Sequence, residues 1–145
     1  TLGFVSGAVA GLVAITPAAG FVGPLGAMAI GAAAGAVCFA ALRLKFIFNF
    51  DDSLDVVAVH LVGGILGALL LGLLAEEMYG GVAGGIDQFG RQALSVVIAL
   101  VYSFVVSFVL AKVLDMVMGL RVSPEEERSG LDLSLHDEQS YVLAE

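Results

Sequence analysis

One histidine, His60, lies within an otherwise apolar stretch, residues 56–74. Burying an ionisable side chain in hydrocarbon costs a few kcal/mol or more, so proteins keep such residues mainly where they have a function. Burial disfavours the charged imidazolium, and a neutral ring can both donate and accept a hydrogen bond. The predicted chemistry of His60 is therefore hydrogen bonding to a small substrate or proton relay. A hydrogen bond to a neighbouring helix is the alternative.

Three carboxylates, Asp51, Asp52 and Asp55, come directly before this stretch. We expect them in the first turn of its helix, where negative charge complements the helix dipole and where Asp51 or Asp52 can cap free backbone N–H groups. Asp55 is expected to be a buried hydrogen-bonding group at the helix start and not a conductor of protons. These residues are therefore predicted to be structural.

Other kinds of chemistry find little support in the sequence. Position 64, one turn after His60, is glycine, and no second histidine, cysteine or carboxylate follows at ligand spacing, so we predict no metal and no other cofactor. An enzyme is disfavoured because no nucleophile, base and orienting group cluster anywhere in the chain. Half of the 14 acidic residues follow Arg121, so the net charge of −8 belongs to a tail and argues against a nucleic-acid partner.

The composition places the apolar segments in a lipid bilayer. Residues are 59% hydrophobic and only 14% charged, with a mean hydropathy of +1.02, far from the balance of a soluble domain. We predict an all-α polytopic membrane protein. Its transmembrane helices are expected within 1–118, with a tail over 119–145, and the predicted helices lie at about 2–15, 25–42, 52–75 and 93–116.

The first predicted helix is only partial, because a span needs about 20 residues. The chain also opens on Thr1 without a methionine, so we expect a fragment of a longer polypeptide. Pro17 and Pro24 with two glycines predict a turn after this segment. The glycine-rich stretch 76–92 is interpreted as an exposed loop.

The basic residues predict the orientation, since cytoplasmic loops are enriched in lysine and arginine. If the loop with Arg43 and Lys45 is cytoplasmic, strict alternation of the helices leaves only Arg91 of the six basic residues outside. The tail is then cytoplasmic. Small residues repeat every four positions in several helices, which predicts close helix packing. These stripes are Gly3/Gly7/Gly11, Ala27/Gly31/Gly35, Gly63/Gly67 and Gly64/Ala68.

Three motifs in the same order resemble one family. Residues 51–67 read DDSLDVVAVHLVGGILG, residues 7–20 read GAVAGLVAITPAAG, and residues 119–132 read GLRVSPEEERSGLD. Together they resemble the ammonium transporters of the Amt/Mep/Rh family, and the tail is most similar to the bacterial Amt branch. The resemblance covers nearly the whole chain.

The resemblance implies an eleven-helix bundle with inverted repeats that assembles as a trimer in the cell membrane, with the C-terminus in the cytoplasm. This chain would supply about its last four helices. In the family a pair of histidines lines a hydrophobic pore for ammonium or ammonia. His60 would be one member of that pair, with its partner outside this chain, and Val56, one turn earlier on the same face, would line the same lumen.

The resemblance also implies roles outside the pore. Thr16 is a candidate for the pore mouth, with a plain turn hydroxyl as the alternative. Ser123 and Pro124 predict a short helix start in the tail. The family tail couples subunits and binds a P-II-type signal protein, and an unstructured acidic tail is the alternative. An ammonium sensor or receptor on the same scaffold is the alternative function. The tail positions that match the family pattern are Gly119, Arg121, Gly130 and Asp132.

Overall fold

The computed structural model describes residues 2–138, and every regular element in that range is helical. This confirms the all-α fold class. In chain order the elements are α1 (Leu2–Ile15), a 3-10 turn (Thr16–Ala18), α2 (Pro24–Ala41), α3 (Leu44–Phe48), a π-helix (Val57–Val62), α4 (Gly63–Leu74), α5 (Glu77–Gly80), α6 (Ile86–Met118), α7 (Pro124–Ser129) and α8 (Leu131–His136).

Three helical stretches are long and apolar enough to cross a bilayer: Pro24–Phe48, Val57–Leu74 and Ile86–Met118. Each has 18 residues or more, against the roughly 20 residues that the hydrocarbon core requires. A shorter apolar helix, Gly3–Ala18, precedes them. The chain is therefore a polytopic membrane protein, as its composition predicts.

Two predicted boundaries are wrong. Helical backbone of the His60 segment begins at Val56, so Asp51, Asp52 and Asp55 precede the helix and do not occupy its first turn. The reason is local: Asp55 has a φ of 57°, in the left-handed region, which interrupts a right-handed helix.

The last long helix, α6, begins at Ile86 instead of near residue 93. The glycine-rich connection before it is short. Gly84 N donates to Ala75 O (2.7 Å) and Gly85 N donates to Gly72 O (2.9 Å), and these bonds hold the two glycines against the end of α4. Asp87 then lies in the first turn, where it complements the helix dipole.

The chain divides within α6 into two compact units, Thr1–Leu100 and Val101–Glu145. In the first unit α1, α2 and the π-helix with α4 pack along stripes of residues spaced four apart. Small side chains predominate in these stripes, which lets the backbones approach closely. The buried stripes are Ala10/Ala14/Ala18, Ile30/Ala34/Cys38 and Val59/Gly63/Gly67/Leu71/Ala75.

Glycine placement shows which predicted stripe is packed within the described residues. A Cβ on Gly67 would collide with the backbone of Ala14, and one on Gly63 would lie 3.3 Å from Cys38 Sγ. By contrast, nothing lies within 4 Å of a Cβ built on Gly64 or on the glycines of the other two stripes. Of the glycines in the four predicted stripes, only Gly63 and Gly67 have such close neighbours inside this part of the chain.

The second unit contains the end of α6 and the tail. None of the residues of α6 is buried, and Phe104 and Phe108 stack on its surface with ring centroids 6.1 Å apart. Gly119, with a φ of 75°, ends the helix, and Gly130, with a φ of 96°, separates α7 from α8. Both glycines occupy a backbone region that other residues rarely adopt. The part of the predicted tail from 139 onward lies outside the described residues.

Candidate functional site

The helix that carries His60 begins with a side-chain cap. Both carboxylate oxygens of Asp52 accept backbone hydrogen bonds, Oδ1 from Val56 N (2.8 Å) and Oδ2 from Val57 N (2.9 Å). This satisfies two of the N–H groups that have no partner within a helix, and it places negative charge at the positive end of the dipole. Asp52 therefore fixes where the helix starts.

Asp55 forms an ion pair that links two elements. Lys45, in α3, donates from Nζ to Asp55 Oδ1 at 2.6 Å and to the carbonyl oxygen of Asp52 at 3.3 Å. The two side chains are 24% and 30% exposed, so the pair is largely shielded. Sequence reasoning missed Lys45. The available signal was a lysine ten residues before the last of the three carboxylates that precede the helix.

His60 lies within the π-helix, a rare conformation that occurs frequently at functional sites. Its side chain is exposed, and the ring has no hydrogen-bond partner within residues 2–138. Val56 and Leu61, on either side of it, are 46% and 43% exposed. The structure thus places Val56 and His60 together on an open face of the helix.

The opposite face of the same helix is packed. Val59, next to His60 in sequence, is 6% exposed and clusters with Ala10 and Cys38. Beyond it Gly63 and Gly67 contact α1 and α2. Since one face is held by the rest of the bundle, the direction in which the other face points is fixed.

An open cavity of about 340 Å³ lies on the packed side, between α1, α2 and the helix start. Asp55, Val59 and Cys38 line it with small residues of α1 and α2, including Gly3, Gly7 and Gly35. His60 is not among its lining residues. The cavity is therefore separate from the open face that carries the imidazole.

Thr16 is not brought to His60. Its hydroxyl donates to Leu12 O at 2.7 Å within its own chain segment. Ala18, in the same 3-10 turn, packs in one cluster with Leu71 and Ala75, near the end of α4 and away from His60. Within residues 2–138 no three or more His, Cys, Asp or Glu side chains come together to hold a metal ion.

A connection not expected from the sequence joins α2 to the end of α4. Glu76 Oε1 accepts from Gly23 N at 3.0 Å, and Glu76 N donates to Phe21 O at 2.8 Å. Glu76 itself is exposed and lies between α4 and α5. It holds the turn between α1 and α2 against the helix of His60.

The tail positions lie around a capping box. Ser123 Oγ accepts from Glu126 N (3.3 Å), and Glu126 Oε2 accepts from Ser123 N (2.8 Å), so the predicted helix start is confirmed. The backbone N–H of Ser123 and then its hydroxyl lower the pKa of Glu126. Arg121 forms an exposed ion pair with Glu127 at 3.4 Å, and Asp132 lies in the first turn of α8.

Fold and site together define the class: a membrane protein of several spans with one imidazole on the open face of a spanning helix. The profile of the Ammonium Transporter Family matches residues 1–141. The chain belongs to this family.

Curated relatives agree. An ammonium transporter of Mycobacterium tuberculosis is 49% identical over 156 residues, which cover 99% of this chain and 33% of the relative. Ammonium transporter Amt1 of Archaeoglobus fulgidus is 46% identical over 148 residues, 98% of this chain and 37% of the relative. The chain spans about a third of the length of the curated relatives that it matches.

Solved structures give the same result. A protein described as a sensor Amt protein superposes with a TM-score of 0.81 at 34% identity, over 92% of this chain and 34% of that one. Saccharomyces cerevisiae Mep2 superposes with a TM-score of 0.75 at 36% identity, over 83% and 30%. At these identities the likeness extends beyond the fold to sequence.

Proposed function

We propose that this chain is the C-terminal part of an ammonium transporter of the cell membrane, and that His60 and Val56 line its pore. The observation that carries the proposal is the open face of the His60 helix. This face holds an imidazole and an apolar neighbour on a helix long and apolar enough to span a bilayer, whose other face is packed. The relatives are named ammonium transporters, and these names are the basis for proposing ammonium as the substrate.

Ammonium selectivity follows from what such a face offers. A narrow apolar pore penalises every cation through desolvation, and a neutral molecule much less. Potassium cannot donate a hydrogen bond, whereas ammonium and ammonia can donate to a neutral imidazole nitrogen. A second histidine from outside this chain, facing His60, would fix the tautomer of the ring. Ammonia and a proton then pass separately, which gives net electrogenic transport.

The assembly forms part of the same proposal. The transporter is a homotrimer with a cytoplasmic C-terminus, and the tail carries the contact that couples subunits and binds a P-II-type signal protein. Two supports come from this chain: all but one of its basic residues fall on one side if the helices alternate, and the tail has ordered elements in α7 and α8. Gly119 and Gly130, both with positive φ, end α6 and separate α7 from α8.

The test replaces His60 with alanine in the full-length protein reconstituted in liposomes, with ammonium-evoked current as the readout. Losing a hydrogen bond to a charged group is worth about 1.5–3 kcal/mol, so the current or its selectivity over potassium should fall at least about tenfold. Leu61→Ala is the matched control, because Leu61 is an exposed neighbour without a polar group. Unchanged current and selectivity in His60→Ala would exclude the pore assignment.

A second function has one observation in its favour. The superposed structure with a TM-score of 0.81 is described as a sensor, so the same scaffold could report ammonium instead of moving it. The liposome assay separates the two functions. A sensor would bind ammonium without carrying current, and its signal would need a partner in the cytoplasm.

A further inference from the structure

We propose that Lys45 is a positioning residue for His60, through its ion pair with Asp55. The inference rests on the proposed function, since it concerns the imidazole that the transporter would use. Lys45 does not touch the pore face. It acts on the turn Asp52–Asp55, which directly precedes the helix of His60.

The ammonium group of Lys45 holds the turn before the helix at two points. Nζ donates to the Asp55 side chain at 2.6 Å and to the main-chain oxygen of Asp52 at 3.3 Å. Lys45 itself belongs to α3, at the end of the preceding span Pro24–Phe48. One side chain thus ties the end of one membrane segment to the start of the next.

The conformation of Asp55 explains why this tie is needed. Its φ of 57° lies in the left-handed region, which costs free energy for a residue with a side chain. Such a conformation persists only when surrounding contacts hold it. Lys45 is the ion-pair partner of Asp55, and the pair is shielded enough for its attraction to exceed that of a fully exposed one.

Three hydrogen bonds connect Asp55 and Asp52, the two residues that Lys45 binds, to the first turn of the His60 helix. Asp55 O accepts from Val59 N at 2.9 Å, and Val59 is the buried residue that precedes His60. Asp52, whose carbonyl Lys45 also binds, caps Val56 and Val57. If the Asp55 turn relaxed, the first turn of the helix would rotate, and Val56 and His60 would change direction together.

The test compares Lys45→Met with Arg43→Met in the full-length protein in liposomes. Arg43 is exposed, directly precedes α3 and takes no part in the Lys45–Asp55 ion pair. A misplacement near 1 Å can cost up to about a hundredfold in a process that depends on geometry. We expect Lys45→Met to lower ammonium current about tenfold and to change the ratio of ammonium to methylammonium current, with Arg43→Met unchanged in both. The current ratio is independent of how much protein is folded.

A second pair of variants keeps the test decisive if Lys45→Met accumulates poorly. Asp55→Asn removes the same ion pair with almost no change of shape, so it should alter the current ratio in the same direction. The double variant should be no worse than either single one. Independent, additive changes in the ratio would overturn the inference.

The outcome for His60→Ala separates this inference from the proposed function. If His60→Ala abolishes ammonium current while Lys45→Met and Asp55→Asn keep the wild-type current ratio, Lys45 does not position the ring and the pore assignment stands. If His60→Ala conducts normally, the pore assignment fails, and this inference fails with it.

Discussion

The two faces of the helical stretch Val57–Leu74 differ in what holds them. On one face Val59, Gly63 and Gly67 are buried against α1 and α2. On the other, Val56 and His60 are exposed, and a Cβ on Gly64 would meet nothing within 4 Å. The packed face contains only apolar or small residues, whereas the imidazole lies on the open one.

This difference separates scaffold from function within one helix. The described residues contain the contacts that set the direction of His60, but not the surface that would complete a pore around it. Stability should therefore respond to substitutions on the packed face, and transport to those on the open face. Substitutions one helical turn or less apart can test this separation.

The largest effect on stability is expected for Gly67→Ala. Its Cβ would collide with the backbone of Ala14, which cannot move aside as a flexible side chain could. Overpacking of this kind costs about 1–3 kcal/mol in free energy of unfolding. Gly64→Ala is the control, and it should be neutral or stabilising by up to about 1 kcal/mol, because alanine favours helix over glycine. Thermal unfolding of the full-length protein in detergent measures both, and equal losses would remove the distinction between the faces.

A smaller effect is expected at the helix start. Asp52→Ala removes the acceptors for Val56 N and Val57 N and should cost about 1 kcal/mol, within the range for N-cap residues. Ser53→Ala, at an exposed neighbouring position, should change the unfolding midpoint little. Because the cap holds Val56 and Val57, in the first turn of the helix that carries His60, Asp52→Ala should also reduce ammonium current. If current were unchanged at wild-type protein level, the cap would not contribute to positioning the open face.

The smallest effect is expected in the tail, where a short helix depends on local bonds. Ser123 lowers the pKa of Glu126, so the folded carboxyl titrates below its unfolded value, which is about 4.3. The capping contribution is thus fully present above the unfolded value and is lost as the pH falls through the lowered folded value. Hydrogen exchange of the α7 amides in the full-length protein should show faster opening over that acidic range.

Glu126→Gln is the control for this pH dependence. Glutamine can make the same reciprocal bond in a capping box but does not titrate. Its α7 amides should therefore show no change in opening over the same acidic range. An identical pH profile in both proteins would mean that another group controls the tail.

Features that depend on neighbouring residues were predictable from the sequence. Ser123, Pro124 and Glu126 specify a capped helix start within four positions, and the structure has it. The apolar stretches were long enough to reveal the membrane helices. The predicted start of α6 was wrong, because Gly84 and Gly85 are hydrogen-bonded to the end of α4 and the helix begins directly after them.

Features that depend on distant residues could not be predicted. Gly63/Gly67 and Gly64/Ala68 have the same spacing on one helix, and only the positions of α1 and α2 decide which of them is packed. The left-handed conformation of Asp55 likewise accompanies a contact with Lys45 in another element. The local sequence does not reveal this contact, so Asp55 was predicted to lie inside a helix that begins after it.

Cys38 offers a way to follow motion in the packed region. It is the only cysteine in this chain, and it is 3% exposed between Ala10 and Val59. Cys38 lines the open cavity beside α1 and α2, but so little of it is exposed that a thiol reagent should react slowly unless α1, α2 and the His60 helix move apart. The alkylation rate of this thiol, in a full-length protein without other cysteines, would therefore measure how often the bundle opens beside the imidazole.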